Sequence, residues 1–403
     1  MVRGVQSDAS EAPVLTMLNP KDMGERNRAS LITALYDHGP MSRAQLARQL
    51  HTTRSTITAI VQPLISQNIL EEIGTLENPT VTGKPGTLLG FSKNGPTLIG
   101  IHVVPQEIIF AQLKIDGTIL RTKTFKTPAT SMDTNFIKRV LQKEIPKYVT
   151  ENNNILGVGV SVGGIVNNST GEIINIARAP HLNGLNVKEI LMASLGKMVV
   201  VDHHPRSQAL GERWFGYGRN KTNFITFFIS DAIGTGIYLN GLLHSGRLGA
   251  GGEFGHTYYP NSNKNILCNC GLRGCWEISA NFTNFRNGIV LLSHRLVENN
   301  FEDLTKAMNE DKMVKDYVED YAELIAIGIA NLQNLLAPRL FIIHGDITIL
   351  GAPFLSLLRK YTKQHTLNSL EQEVELIFAG PGENFAILGA ASLVLAKSLH
   401  FPV

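Results

Sequence analysis

The sequence predicts an α/β protein in two parts: an N-terminal winged helix-turn-helix over residues 25–92, then a two-lobed α/β body over residues 93–403. Three observations predict it. Two helical patterns separated by three residues precede two short strand-like runs joined by a Gly/Pro tip. From Leu98 onward, apolar strands alternate with helices, the grammar of a layered α/β fold. Three cysteines and a histidine fall within one loop, residues 253–277, at metal-ligand spacing.

Composition sets the bounds. The chain of 403 residues is long enough for two or three domains. With 43% hydrophobic and 18% charged residues it can bury a large core. A net charge of +3 neither demands nor excludes nucleic acid. The opening stretch MVRGVQSDASEAP lacks the apolar run of a secretory signal. The longest apolar runs, such as ILGAASLVLA, are too short and Gly-interrupted to span a bilayer. The expectation is a cytoplasmic chain.

The elements of the first part follow in order. Residues 1–24 are polar and aperiodic, and predict a flexible arm. From Glu25 the pattern is helical, with Leu31, Ile32 and Leu35 on one face and His38-Gly39-Pro40 as the stop. Ser42 reads as the N-cap of a helix that turns Leu46, Ala47 and Leu50 inward. After His51-Thr52-Thr53, the next helix starts at Arg54 and carries Ile57, Ile60, Val61, Leu64 and Ile65 at helical spacing. Pro63 should bend it beyond its first turns. The runs ILEEIG and TLLGF, joined through Gly83-Lys84-Pro85-Gly86, make a wing.

Two helices, a three-residue turn and a wing form a module that reads double-stranded DNA, with the second helix in the major groove. The candidate contacts are Thr52, Thr53, Arg54, Ser55, Thr56 and Thr58 at the start of that helix, Arg43 on the helix before it, and Lys84 on the wing. Arginine pairs bidentately with guanine, and hydroxyls suit phosphates or base edges. Residues 1–92 hold eight Lys/Arg and eight Asp/Glu, so any basic face is local. Any small three-helix bundle has similar spacing; the wing separates the two readings.

In the body, LIGIHVV and IIFAQLKI read as strands, with Asp116-Gly117 as a turn signal. A helix is expected from about Asp133 to Thr150, then the strand ILGVGVSV, the strand MVVVD and the helix SQALGERWF. ITFFIS and TGIYLNG predict a further hairpin. Helices dominate from Ala280, with the strand LFIIHG among them and a closing helix after Phe385. Two lobes of related layout result.

The metal motif is GEFGH followed by CNCGLRGCWE. His256, Cys268, Cys270 and Cys275 are borderline-soft ligands that suit tetrahedral zinc. Four protein ligands fill the coordination sphere, which makes the site structural. Gly271 and Gly274 permit the tight turns that let the sulfurs converge. Buried, unliganded cysteines are the plain alternative.

These residues carry a resemblance to the ROK family of repressors and sugar kinases, and the zinc-type signature is specific. The resemblance runs from about Gly24 to the C-terminus, and the winged head is similar to the repressor branch. It implies an actin-like, sugar-kinase-like fold for the body. It also implies that His256 faces a sugar as well as zinc, and that Glu253 and Glu277 hold sugar hydroxyls.

The resemblance also frames what the chain has lost. Sugar kinases of the family use an Asn-Asp pair after a buried strand, the Asp acting as general base. The matching stretch VVVDHHPRSQALGE places His203-His204 there. Their first phosphate loop needs an Asp and glycines, where this chain has His102, Val103, Val104 and Pro105. Gly234-Thr235-Gly236 of the second loop survives, and the third phosphate element reads His344-Gly345-Asp346. The expectation is no enzyme but a ligand-controlled DNA-binding regulator, a repressor of carbohydrate genes. A sugar kinase with an added DNA-binding domain is the alternative. His203 and His204, with Arg206, would suit a sugar phosphate; otherwise they pack at a dead site. A homodimer or homotetramer on a palindromic operator follows from the head. A protein partner in place of a small ligand is a third reading.

Overall fold

We obtained a computed structural model of the chain. It describes residues 20–75, 86–104, 106–127, 134–149, 154–176, 179–292, 301, 304–368, 374–380 and 385–399. Most of the expected arm, the wing tip with Lys84, and Pro105 lie outside the described residues.

The head has helix α1 (Pro20–His38), strand β1 (Met41–Ser42), α2 (Arg43–Gln49), α3 (Arg54–Ser66), β2 (Leu70–Thr75) and β3 (Thr87–Phe91), which is the expected order of three helices and two wing strands with the short strand β1 added. Helix α1 begins at Pro20 rather than Glu25, so the end of the expected arm is helical. Proline suits a first turn, because its missing N–H would have no helical partner there. Ser42 and Gln45 form a reciprocal capping box at the start of α2. His51 turns the chain between α2 and α3 with φ +50°, in the left-handed region. Pro63 does not end α3, which continues to Ser66. Leu31, Ile32, Leu35, Leu46, Ala47, Ile57, Val61 and Leu64 are buried in one core, while Leu50, Ile60 and Ile65 are partly buried against it. The wing pairs antiparallel in the order β1-β3-β2.

The body holds two five-stranded sheets. The first comprises β4 (Thr97–Val104), β5 (Glu107–Lys114), β6 (Ile119–Lys126), β7 (Ile155–Val162) and β10 (Val199–His203), in the order β10-β7-β4-β5-β6. A small hairpin, β8 (Ile165–Asn167) with β9 (Glu172–Asn175), follows β7. The second sheet comprises β11 (Phe224–Ile229), β12 (Ile233–Leu239), β13 (Leu242–Leu243), β14 (Leu340–His344) and β15 (Glu375–Phe378), in the order β13-β12-β11-β14-β15. In each sheet an antiparallel meander continues into two parallel strands, so the lobes repeat one topology.

Helices α4 (Thr134–Arg139), α5 (Ile145–Val149) and α6 (Val187–Leu195) cover the outer face of the first sheet. Where one continuous helix was expected, Val140–Glu144 widens to π geometry between α4 and α5. Pro146 lies just beyond and cannot donate to the regular ladder. The second sheet's outer face carries α8 (Trp276–Ala280), α9 (Phe282–Leu292), α10 (Leu304–Glu310), α11 (Lys312–Leu336) and α12 (Gly351–His365).

Two helices lie on the inner faces. Helix α7 (His204–Phe215) packs on β11 and β12, α13 (Phe385–Ser398) packs on β4 and β7, and the two helices pack on each other. The approaches are at backbone distance: a Cβ on Gly159 of β7 would stand 1.7 Å from the Ala390 oxygen of α13, and one on Gly389 of α13 would stand 2.1 Å from the Ser207 oxygen of α7. The core around α7 and α13 is continuous with that of the head. Tyr36 of α1 packs against Trp214 and Phe215 of α7 and Phe91 of β3. Among the described residues, no helix is long and apolar enough to cross a membrane.

Candidate functional site

At the head, Thr53 caps α3 by accepting from the Thr56 amide at 3.2 Å. Its hydroxyl also contacts those of Ser55 and Thr56 at 2.8 and 2.9 Å, and Thr58 donates to the Arg54 carbonyl at 2.9 Å. These hydroxyls therefore shape the first turn. Arg54 projects from the same turn and is exposed. Arg43 is held by Glu72 of β2 at 2.7 Å, so phosphate would have to compete for it. Thr52 is half-buried beside the turn.

A cleft of about 980 Å³ opens at the carboxyl ends of β4, β7, β10, β11 and β14. In α/β folds this is where ligands bind. Helix α7 starts at His204, earlier than the expected SQALGERWF, so the histidine pair straddles the strand-to-helix junction and enters the cleft. Pro205 in the first turn is the overlooked sequence signal for that start.

The expected ligand residues converge. His203 Nδ1 lies 3.3 Å from Glu253 Oε1, and Glu253 Oε2 lies 3.8 Å from His256 Nε2. Glu277 is held in place by the Ile233 amide, which donates to Oε2 at 2.7 Å. Burial, then the neighbouring Glu277, pushes the Glu253 carboxyl up to about 7. Burial holds His203 down at about 3 and His204 well below the usual histidine range. His204 packs on His102 and Phe228, with ring centroids 4.7 Å apart in both cases.

Arg206 is not available to a phosphate. It is 1% exposed and clamps Asp202 bidentately, Nε to Oδ1 and Nη2 to Oδ2, both at 2.9 Å. It also donates to the His244 carbonyl and to Ser245 Oγ. Its role as a phosphate ligand, expected from sequence, is thus corrected. Of the described residues that line the cleft, Arg286 is the one Lys or Arg, against Glu107, Asp231, Glu253, Glu277 and Asp346.

His256, Cys268, Cys270 and Cys275 come together, their ligand atoms all within 4.8 Å of one another. Cys268 Sγ lies 3.6 Å from His256 Nδ1, and Cys270 Sγ lies 3.5 Å from Cys275 Sγ. Such edges fit a tetrahedron with bonds of about 2.0 Å to nitrogen and 2.3 Å to sulfur. Burial, then the neighbouring sulfurs, pushes the Cys275 thiol up to about 12, a cost that a bound cation reverses. The four residues can hold a metal.

The described residues of the stretch corresponding to a first phosphate loop are in regular strand pairing. His102, Val103 and Val104 pair with Ile109, Ile108 and Glu107, and Val103 also accepts from the Gly163 amide at 2.8 Å. Gly234 and Gly236 have another use. A Cβ there would stand 2.4 Å from Pro205 Cγ or 2.2 Å from the Pro205 oxygen, so α7 needs them bare. Sequence reasoning missed the buried contact of His344 Nε2 with Glu212 Oε1 at 2.9 Å and the Asp37–Arg213 pair. The partners lie far apart in the chain and no local pattern marks them. Asp202 lies in strand β10 and Arg206 in α7, so their spacing of four carried no plain helical signal.

A winged DNA-reading head on a two-lobed body of sugar-kinase type, with its cleft beside a Cys₃His cluster, defines a regulator-type chain rather than a free-standing kinase. The chain belongs to the ROK family, whose profile matches residues 98–397. It is 26% identical over 380 residues to the xylose repressor of Bacillus spizizenii, covering 93% of this chain and 96% of that one. It is 26% identical over 314 residues to the glucokinase of Thermotoga maritima, covering 74% of this chain and 96% of the enzyme. The crystal structure of a ROK family transcriptional regulator, a homologue of the E. coli Mlc protein, superposes with a TM-score of 0.77 at 21% identity, covering 94% of this chain and 97% of that one.

Proposed function

We propose that the protein is a cytoplasmic, sugar-responsive transcriptional repressor that binds a palindromic operator as a homodimer. Helix α3 enters the major groove with Arg54 leading, and a sugar in the body's cleft sets DNA affinity. Zinc in the Cys₃His cluster is structural: it fixes the loop that presents Glu253, His256 and Glu277. The observation that carries this reading is one chain joining a capped DNA-reading helix to a polyol-type cleft whose described phosphate-loop residues are in regular strand pairing.

The effector is an uncharged sugar rather than a sugar phosphate. Carboxylates outnumber cations around the cleft, and Arg206 is already neutralised by Asp202. Fluorescence anisotropy on DNA from the protein's own promoter region tests the reading. Nanomolar binding that a neutral sugar relieves supports it; sugar-dependent ADP release from ATP would replace it with the kinase alternative.

A further inference from the structure

Beyond the sugar-facing carboxylates, the same cleft continues past His204 to a second group of polar side chains. Gln208 stands one turn along α7 from His204, and His102 and His344 reach in from the ends of β4 and β14. All are at least nine-tenths buried. Gln208 Oε1 accepts no hydrogen bond from the described residues. His344 Nε2 approaches Glu212 Oε1, yet neither atom completes a hydrogen bond of good geometry. Buried polar atoms left in this state are costly, and so they are rare unless something pairs with them.

We propose that His102, Gln208 and His344, continuing from His204, form a second subsite that takes the uncharged second unit of a disaccharide or glycoside. The proposal rests on the sugar-sensor reading above and narrows it. Volume supports it: about 980 Å³ is near the top of the roughly 300–1,000 Å³ range of pockets that enclose drug-sized ligands, and exceeds the need of one monosaccharide.

The chemistry selects a neutral group. Burial holds His102 at about 4 and His204 well below the usual histidine range, and the His102 ring adds to the lowering of His204. Neutral imidazoles and an amide offer both donors and acceptors, which matches hydroxyls. The start of α7 is a poor anion site, because Pro205 has no N–H and the His203 amide already donates to Asp202 Oδ1 at 2.7 Å.

Calorimetry on the full, zinc-supplemented chain tests this with xylose and glucose, a disaccharide of each, and glucose 6-phosphate. The disaccharide of the preferred sugar is expected to bind at least tenfold tighter than its monosaccharide. Gln208→Ala and His102→Phe should each remove most of that gain and keep the monosaccharide Kd within twofold, with melting curves confirming that both variants fold. A monosaccharide as tight as its disaccharide overturns the second subsite alone, and a gain from the phosphate instead overturns its uncharged character. Binding of no sugar overturns both this subsite and the sensor reading.

Discussion

Arg213, in the last turn of α7, and Asp37, in the last turn of α1, are joined by two hydrogen bonds, Nη1 to Oδ1 at 2.7 Å and Nη2 to Oδ2 at 3.0 Å. Both side chains are largely buried, and the same helix α7 begins at the cleft with His204. Asn220 adds a bond from its amide to Asp37 Oδ1 and one from its side chain to the Asp37 carbonyl. Asp37→Ala should destabilise the protein by about 3 kcal/mol, because it leaves a largely buried guanidinium without its carboxylate. A double-mutant cycle with Arg213→Ala, read by denaturant melts, should return a coupling of roughly 1–3 kcal/mol. Additive single effects would remove the pair from the stability of the head–body joint.

Arg54→Ala should weaken operator binding by about 1–3 kcal/mol and relax specificity at one base pair, leaving sugar affinity unchanged. Arg43→Ala should cost less, because Glu72 must first release that guanidinium. Anisotropy titrations at two salt concentrations separate the two. Equal losses would show that Arg43 leaves Glu72 freely.

Stripping the metal with a chelator, or substituting Cys275→Ser, should lower the melting temperature by about 5 °C or more, in line with a loss of about 2 kcal/mol for a domain of this size. Restoring zinc should reverse the chelator effect. Calorimetric scans with and without chelator make the measurement; superposable scans would show that the cluster contributes nothing to stability.

His102 is held neutral at about 4 by burial, below its ordinary value of 6.5. The folded chain therefore binds fewer protons than the unfolded chain between those values. Stability is full above about pH 6.5 and falls as pH drops toward 4, by roughly 3 kcal/mol from this group. His102→Phe should flatten that part of the profile in urea melts at successive pH values. An unchanged slope would assign the acid sensitivity to other groups.

Gly159→Ala should cost about 3 kcal/mol, because the new methyl meets the Ala390 carbonyl where α13 crosses β7. Thermal melts of the variant give the value directly. A near-neutral result would mean that α13 shifts without loss.

Much of this architecture was legible in sequence. The head was legible because capping, turn and periodicity are local: Ser42 as a cap, the turn His51-Thr52-Thr53, and Ile57, Val61 and Leu64 at helical spacing all lie within a short stretch of chain. The metal cluster was legible because its ligands crowd into one loop. The start of α1 was misplaced, since Pro20 opens a helix as readily as it ends one. The fate of Arg206 was hidden because a charged side chain reads as a ligand until its carboxylate partner is placed in space. His344 with Glu212 depends on the packing of one lobe against the other, and Asp37 with Arg213 on the packing of head against body, each across more than a hundred residues of chain. Strand β15 escaped notice because four residues between helices carry too little alternation to stand out.

The apolar core that runs unbroken from α1 into α7 and α13 has a practical consequence for protein engineering. The head is not a cassette. A chimera that exchanges residues 20–91 for another winged helix would have to import counterparts of Tyr36 and Asp37, or leave Trp214, Phe215 and Arg213 facing water. By the same logic a protease should release the head from the native protein only as fast as the whole core opens, so fragments of head and body should accumulate together with global unfolding.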